Sequence, residues 1–266
     1  MNIREKRAIF YEATNPKNTI KNVIGVVSGK GGVGKSTVTS LLASAMNKKG
    51  YKTAILDADI TGPSIPKAFG VSEQLQSYKE GTFPSQSKEG IKMVSLNLVI
   101  DDETAPVVWR GPVLTGVIKQ FWKDIIWEEV DYMFVDLPPG TSDATLTVFQ
   151  TLPLMGIVLV TSPQDLVNMI VEKAKRMADQ LEIPILGVIE NYAYFEAPDT
   201  KIRYEIFGKS KLDELAEQKN LDILARIAID PDIAKKIDAG QVESIDVSFL
   251  DEAVRTFENF EDPELD

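Results

Sequence analysis

The sequence of 266 residues contains no cysteine and no histidine. Without cysteine, the chain has no disulfide, no thiolate nucleophile and no sulfur ligand of its own for a metal. Without histidine, it has no imidazole base and no imidazole ligand for zinc, which excludes a Ser-His-Asp triad. Any catalysis by this chain must therefore use carboxylates, lysines, backbone N–H groups or a bound cation.

Basic residues are scarce relative to acidic ones, because 29 Lys and Arg face 40 Asp and Glu, which gives a net charge of −11. Nucleic acid and anionic membrane both need neutralising Lys and Arg, so we expect neither as a partner. The first residues lack the apolar run of a signal peptide. The uncharged stretch from Ala144 to Gln164 contains Pro153 and Gly156, which favours a helix end and a buried strand over a membrane span. These features predict a cytoplasmic location.

Short apolar runs alternate with segments of helical periodicity along most of the chain. The predicted strands are Val23–Val27, Thr53–Leu56, Lys92–Leu98, Tyr132–Val135, Ile157–Val160, Ile185–Ile189 and Ile223–Ile227. The predicted helices are Lys35–Lys49, Val113–Ile126, Pro163–Leu181 and Lys209–Gln218. Several strands are apolar without alternation, which is typical of strands covered on both faces. The pattern predicts an α/β fold with a doubly wound, mostly parallel sheet.

No linker rich in Pro, Gly and Ser divides the chain, so residues 1–266 are expected to form a single domain. Its core is expected over about residues 22–240, after an N-terminal extension of residues 1–21. The polar, turn-rich segment Ser72–Gly90 is predicted to be a surface insertion. Residues 251–266 hold seven acids and one Arg, which predicts a solvated acidic C-terminal end. The apolar face of the helix around Trp122 is interpreted as core, with a partner-facing surface as the alternative.

A glycine-rich segment between the first strand and the first helix fits the phosphate-loop pattern Gly-x4-Gly-Lys-Ser/Thr through Gly29, Gly34, Lys35 and Ser36. Glycines let backbone N–H groups approach phosphate oxygens, and the helix directs its positive N-terminal end at the same anion. Lys35 can reach the β- and γ-phosphates, and the Ser36 hydroxyl can ligate Mg²⁺. The residues expected to bind the nucleotide here are Gly29, Lys30, Gly31, Gly32, Val33, Gly34, Lys35, Ser36 and Thr37.

Polar side chains also follow other predicted strands, at sheet ends that face the ligand crevice in such folds. Asp57 and Asp59 end the second strand and could orient a water or hold Mg²⁺-bound waters, with helix capping or a solvated turn as the alternative. Asp136 follows an apolar run, as in a Walker B strand, and is expected to serve Mg²⁺ with Ser36. Asn191 could pair with an adenine edge, although turn chemistry alone also explains an Asn there.

A second lysine, Lys30, lies inside the loop, and the run Lys-Gly-Gly-Val-Gly-Lys-Ser-Thr resembles the deviant Walker A motif of the MinD, ParA and nitrogenase-iron-protein class. The resemblance implies that Lys30 acts across a nucleotide-sandwich dimer, as an arginine finger does. It also implies that Asp59 positions the attacking water and Asp57 supports the metal side. It further implies that Asn191 contacts the adenine base. We expect the catalytic residues to be Lys30, Lys35, Asp57 and Asp59.

Further motifs are similar to those of the Mrp-type ATPases, a group described as iron–sulfur cluster carriers, from about residue 22 to residue 240. They are Asp57-Ala58-Asp59-Ile60-Thr61-Gly62-Pro63-Ser64, Trp109-Arg110-Gly111-Pro112, Asp136-Leu137-Pro138-Pro139-Gly140-Thr141, Thr161-Ser162-Pro163-Gln164 and Ile189-Glu190-Asn191. The chain departs from the family at Ala197 and Thr200, which stand where family members carry Cys-Pro-x-Cys. Neither residue is an iron ligand. A second departure is Lys209-Ser210-Lys211, where family members tend to be glycine-rich.

The resemblance implies an ATPase, slow and dependent on a homodimer around ATP, with ATP and Mg²⁺ as cofactors. It implies a role in iron–sulfur cluster assembly or transfer with no cluster held by cysteines of this chain, so an unknown iron–sulfur protein or scaffold would supply the thiolates. One alternative is an ATP-dependent interaction adaptor with incidental hydrolysis. Another is a MinD- or ParA-like positioning ATPase, against which the absence of a basic amphipathic helix in the acidic C-terminal end counts. A small-molecule kinase would leave Lys30 without a role.

Overall fold

A computed structural model describes residues 11–59, 64–99, 111–140, 142–163 and 167–260 of the chain. The strands in these residues are β1 (Thr19–Ser28), β2 (Thr53–Asp57), β3 (Gln76–Tyr78), β4 (Gly81–Phe83), β5 (Ser85–Gln86), β6 (Lys92–Val94), β7 (Glu129–Asp136), β8 (Gly156–Thr161), β9 (Ile185–Glu190), β10 (Phe195–Glu196), β11 (Arg203–Tyr204) and β12 (Ile223–Arg226). The helices are α1 (Lys35–Lys48), α2 (Ile65–Ala68), α3 (Gly111–Lys123), α4 (Asp143–Thr151), α5 (Val167–Gln180), α6 (Leu212–Lys219), α7 (Pro231–Asp238) and α8 (Asp251–Glu258).

Eight of these strands form one sheet in the order β12-β9-β8-β1-β7-β2-β6-β5. Its pairs are parallel except for the edge strand β5, which runs antiparallel to β6. β1 lies near the centre, between β8 and β7. The doubly wound, mostly parallel sheet predicted from the sequence is therefore confirmed, and each of the seven predicted strands contributes to it.

Apolar side chains cover both faces of the sheet and form two cores. Along β1, Val23 and Val27 face one core, whereas Ile24 and Val26 face the other. The first core contains buried side chains of α3, α4, α5 and α6, and the second contains those of α1, α2 and α8. In α3 the Trp122 side chain is buried, which confirms the core interpretation of its apolar face. Burial on both faces explains why the strands read as continuous apolar runs.

The C-terminal end differs from the expectation of a solvated acidic segment. Residues 251–258 form α8, whose Ala253, Val254 and Phe257 are buried against α1 and β12. The acidic composition concealed this arrangement, because the acids occupy one side of the helix while the apolar residues occupy the other. The expectation of a solvated end is thus wrong for residues 251–258, and residues 261–266 lie outside the described part.

Smaller differences concern the boundaries and the short elements. β1 begins at Thr19, before the expected start of the core, and the preceding segment is fixed because Trp122 Nε1 donates to the Glu12 carbonyl at 2.7 Å. The predicted strand Lys92–Leu98 ends at Val94 and continues as a 3₁₀ turn. The segment Ser72–Gly90 contains the hairpin β3–β4, in which all three residues of β3 are exposed, as expected of a surface insertion. Among the described residues, no helix is both long and apolar enough to cross a bilayer.

Candidate phosphate-binding site

The phosphate loop lies between the end of β1 and the start of α1, at the centre of the sheet. Gly34 is the residue that precedes α1, and its φ of 78° is a left-handed conformation that only glycine adopts readily. The loop is held to the next strand end on one side, because Gly140 N–H donates to the Ser28 carbonyl at 2.8 Å. The 138–140 turn that follows β7 therefore lies directly beside the loop.

Lys35 is buried at the start of α1 and faces two carboxylates. Its Nζ lies 2.8 Å from Asp136 Oδ1 and 3.4 Å from Asp59 Oδ2. Neither contact has hydrogen-bond geometry, so the ammonium is paired by charge, and among the described residues its N–H donors have no hydrogen-bond acceptor. A buried ammonium with spare donors beside a glycine-rich loop matches the lysine expected to reach phosphate oxygens.

Asp136 ends β7 and collects donors from α1. Ser36 Oγ donates to its Oδ2 at 2.6 Å, and Thr39 Oγ1 donates to its Oδ1 at 2.7 Å. Mg²⁺ prefers oxygen ligands and usually takes only one or two carboxylates, with water and phosphate completing the set. The adjacent hydroxyl and carboxylate oxygens of Ser36 and Asp136 fit that chemistry. Among the described residues, no group of three or more His, Cys, Asp or Glu side chains is arranged as a metal cage.

Asp57 pairs in register with Asp136 on the neighbouring strand and is fully buried. Its Oδ2 accepts a hydrogen bond from Ser95 Oγ at 2.9 Å, and its Oδ1 accepts one from Asp59 N–H at 3.2 Å. Burial, and then the charge of Asp136, raise the pKa of Asp57 well above its ordinary value of 3.8, despite the opposing effects of Ser95 and Lys35. Two carboxyl groups, of Asp59 and Asp136, thus contact the Lys35 ammonium, and the buried Asp57 lies on the strand beside Asp136 with its own ionisation disfavoured.

Asn191 follows β9 and is buried against the phosphate loop. Its Nδ2 donates to the Val33 carbonyl at 2.9 Å, and its Oδ1 accepts from Tyr192 N–H at 3.0 Å. Both ends of the amide that the sequence assigns to adenine are therefore bonded to the protein, one of them to the loop itself.

Lys30 is exposed on the loop, and its carbonyl accepts a hydrogen bond from Ser28 Oγ at 3.0 Å. Gly29, Gly31 and Gly32 are likewise exposed. The outer rim of the loop thus faces outward, whereas Lys35 at its inner end is buried. Thr37 is half-buried in the first turn of α1.

Ala197 and Thr200 lie in the turn of the hairpin β10–β11. Ala197 N–H donates to the Ile202 carbonyl, and Lys201 N–H donates to the Ala197 carbonyl, so the turn is closed by backbone bonds. Apolar side chains next to this turn are exposed. They are Ile202, Tyr204, Ile206 and Phe207.

The fold thus brings Lys35, Ser36, Asp57, Asp59 and Asp136 together, and it places Asn191 against the loop. Two supporting residues were missed in the sequence. Thr39 lies four residues after Lys35, which is one helical turn, so helical spacing is a signal that could have identified it. Ser95 has no such signal, because only the tertiary fold brings it to Asp57. Of the family-like motifs, Ile60, Thr61, Gly62, Pro63, Trp109, Arg110, Thr141 and Gln164 lie outside the described residues.

Residues 19–260 match the sequence profile of the ParA family, described as NUBPL iron-transfer P-loop NTPase. An iron-sulfur cluster carrier protein from Clostridium perfringens is 47% identical over 232 residues, which cover 84% of this chain and 81% of that protein. One from Aquifex aeolicus is 44% identical over 223 residues, covering 84% of this chain and 61% of that protein. A nucleotide-binding protein from Archaeoglobus fulgidus, solved in complex with ADP and with cobalt, has 41% identity, a TM-score of 0.77 and coverage of 91% of both chains.

Proposed function

Since the chain belongs to the ParA family, described as NUBPL iron-transfer P-loop NTPases, we propose that it is a Mg²⁺-dependent switch ATPase that serves iron–sulfur cluster assembly or transfer. The observation that carries the proposal is the buried Lys35 ammonium beside the phosphate loop, paired by charge with Asp136 and Asp59 but not hydrogen-bonded to them. Its donors suit the oxygens of a triphosphate. The family's description as P-loop NTPases and the glycine-rich loop that precedes Lys35 both support this role.

In the proposed reaction, a water attacks the γ-phosphorus of ATP, and the bond to the β–γ bridging oxygen breaks to give ADP and phosphate. Asp59 is half-buried near Lys35 and accepts a hydrogen bond from the water, which orients it. Loop N–H groups and Lys35 bind the phosphates, and their charge opposes that of the transition state. Ser36 and Asp136 would hold Mg²⁺, which when bound neutralises phosphate charge. Asp57 lies in register with Asp136 on the neighbouring strand and is assigned to the metal side of the site.

We assign to the exposed Lys30 a contact with the nucleotide bound by the facing subunit of the dimer. Because it is exposed on the outer rim of the loop, away from the buried end at Lys35, a second copy of the chain can approach it. Hydrolysis is then slow in the monomer and faster in a dimer that closes around two nucleotides. Such coupling makes ATP occupancy a switch for association.

We assign the binding of the iron–sulfur cluster to a partner protein. The chain contains no cysteine, and the turn where the family carries its cysteine pair has Ala197 and Thr200 instead. Thiolate ligands for a cluster must therefore come from an iron–sulfur protein or scaffold that binds this chain.

Lys30→Ala tests the sandwich mechanism, with the exposed helical Lys173→Ala as the matched control. We expect phosphate release per molecule to rise with protein concentration in the native chain. Lys30→Ala should lower the rate by about a hundredfold or more, as expected for a residue that acts as an arginine finger, while ATP binding by the monomer changes little. An unchanged rate in Lys30→Ala, together with intact partner binding, would instead identify an adaptor in which hydrolysis is incidental.

Iron and sulfide content after anaerobic reconstitution tests the cargo assignment. We expect the native chain, with or without Mg²⁺-ATP, to retain no more iron than a control protein, whereas the double variant Ala197→Cys/Thr200→Cys should retain both elements. Stoichiometric iron and sulfide on the native chain would contradict the assignment of the thiolates to a partner.

A further inference from the structure

The side chain of Asn191 is buried and hydrogen-bonded at both ends of its amide. It is 2% exposed, its backbone N–H donates to the Thr161 carbonyl at 2.8 Å, and its Oδ1 accepts from Tyr192 N–H. Its Nδ2 then has one strong partner, the Val33 carbonyl at 2.9 Å. An amide held in this way acts on the phosphate loop and cannot turn elsewhere without breaking a buried hydrogen bond.

Gly34 packs directly beneath this amide. A Cβ added at Gly34 would lie 2.2 Å from Asn191 Nδ2 and 3.0 Å from the Tyr192 hydroxyl. The loop therefore passes close under Asn191 and Tyr192, and only glycine fits at that point. Contact with Gly34 and hydrogen bonding to Val33 together restrain the one peptide group that joins these two residues.

The orientation of that peptide group has a chemical consequence. A trans peptide is planar, so its C=O and N–H point in opposite directions. Since Asn191 holds the Val33 carbonyl toward the end of β9, the Gly34 N–H points to the other side of the loop. Backbone N–H groups of a phosphate loop are the donors that cradle phosphate oxygens.

We propose that Asn191 is a positioning residue that keeps the Gly34 N–H directed at the nucleotide phosphates, by holding the Val33 carbonyl from behind. The inference rests on the proposed function, because it requires a nucleotide in the loop. In this role Asn191 raises the affinity for the phosphates equally, whichever base the nucleotide carries. The sequence pattern instead suggests a contact with adenine, and the two roles differ in which ligands they affect.

The test compares the native chain with Asn191→Ala and Asn191→Leu, of which the second keeps volume while removing the donor. Binding of ATP, GTP and inorganic tripolyphosphate is measured by calorimetry in the presence of Mg²⁺. We expect the affinity for all three ligands to fall by a similar factor, about tenfold for one lost buried hydrogen bond. The ratio of ATP to GTP affinity should stay constant. A loss confined to ATP, with tripolyphosphate unaffected, would overturn the proposal in favour of base recognition.

Asn22 provides the matched control, because its Nδ2 also donates to a backbone carbonyl, that of Asp131 at 3.1 Å, on the same strand that leads into the loop. Asn22→Ala should leave all three affinities unchanged, and an equal loss in this variant would overturn the specific role of Asn191. If the native chain bound none of the three ligands, the proposed function itself would fail. That outcome is distinguishable, because failure of the positioning role appears only in the Asn191 variants.

Hydrogen exchange of the nucleotide-free protein gives a readout that base recognition would not change. We expect amides of residues 30–36 to exchange faster in both Asn191 variants, while amides of β7 keep their native rates. Native exchange rates in the loop of both variants would show that Asn191 does not restrain it, and would overturn the proposal even if the binding constants had changed.

Discussion

The carboxyl group of Asp57 shows how strongly burial controls a single residue in this site. Its pKa is raised well above 3.8, first by burial and then by the charge of Asp136. A carboxyl group with a higher pKa in the folded state binds more protons folded than unfolded, so the free energy of unfolding falls as pH rises from about 4 through the folded pKa. The ionised form of Asp57 is thus a destabilising feature that the native sequence retains.

We therefore expect Asp57→Asn to gain stability relative to the native chain as pH rises above about 4, since the amide avoids ionisation. Urea unfolding at a series of pH values measures this difference. Asp131→Asn is the control of opposite sign, because the hydrogen bond from Lys21 lowers the pKa of Asp131. Its stability deficit should be present at neutral pH and should vanish in acid. A pH-independent difference for Asp57→Asn would contradict the assigned environment.

Thr39 offers a second test on a single residue. Its fully buried hydroxyl donates to Asp136 Oδ1, so removing it leaves a buried carboxylate with one donor fewer. We expect Thr39→Val to lower the free energy of unfolding by about 1–3 kcal/mol. Thr39→Ser retains the hydroxyl and should lose less. Equal losses in chemical denaturation of the two variants would show that packing, and not the hydrogen bond, makes the residue important.

Among the structural elements, α8 departs furthest from what the composition suggests. Phe257 is 2% exposed, and its ring centroid lies 5.9 Å from that of Phe134 in the central strand β7. We expect Phe257→Ala to lower the free energy of unfolding by about 3–5 kcal/mol, as for other buried aromatic residues. Arg255→Ala, on the exposed side of the helix, should change it by less than about 0.5 kcal/mol. If the C-terminal end were solvated, neither substitution would change the free energy of unfolding measured in urea.

The elements that the sequence predicted correctly are those whose signal is local. Apolar runs identify the strands of the sheet, and the spacing of Gly29, Gly34, Lys35 and Ser36 identifies the loop. The segments that escaped prediction depend on tertiary contacts, since α8 is stabilised by the core it covers and α2 has only four residues. The same limit applies within the site, where hydrogen bonds from Ser95 and to Val33 join residues far apart in sequence.

On the scale of the whole molecule, the sheet order assembles the site. The loop follows β1, and Asp57 and Asp136 end β2 and β7, which lie on the same side of β1. Asn191 directly follows β9 on the other side, so the loop is held between side chains from both halves of the sheet. Ligand crevices of parallel α/β sheets occur at such positions, beyond the carboxyl ends of the strands. A ligand bound at this point should therefore stabilise the whole fold against unfolding.

A ligand that binds only the folded state raises the free energy of unfolding by RT ln(1 + [L]/Kd), about 2.7 kcal/mol at one hundred times Kd. We expect Mg²⁺-ATP at that concentration to stabilise the native chain by this amount in urea unfolding, with Kd taken from calorimetry. Lys35→Met should lose the gain, because it removes the ammonium that faces the phosphates. A larger gain that grows with protein concentration would mean that nucleotide binding also drives association, as the sandwich dimer requires. An undiminished gain in Lys35→Met would place the nucleotide away from the phosphate loop and contradict the proposed site.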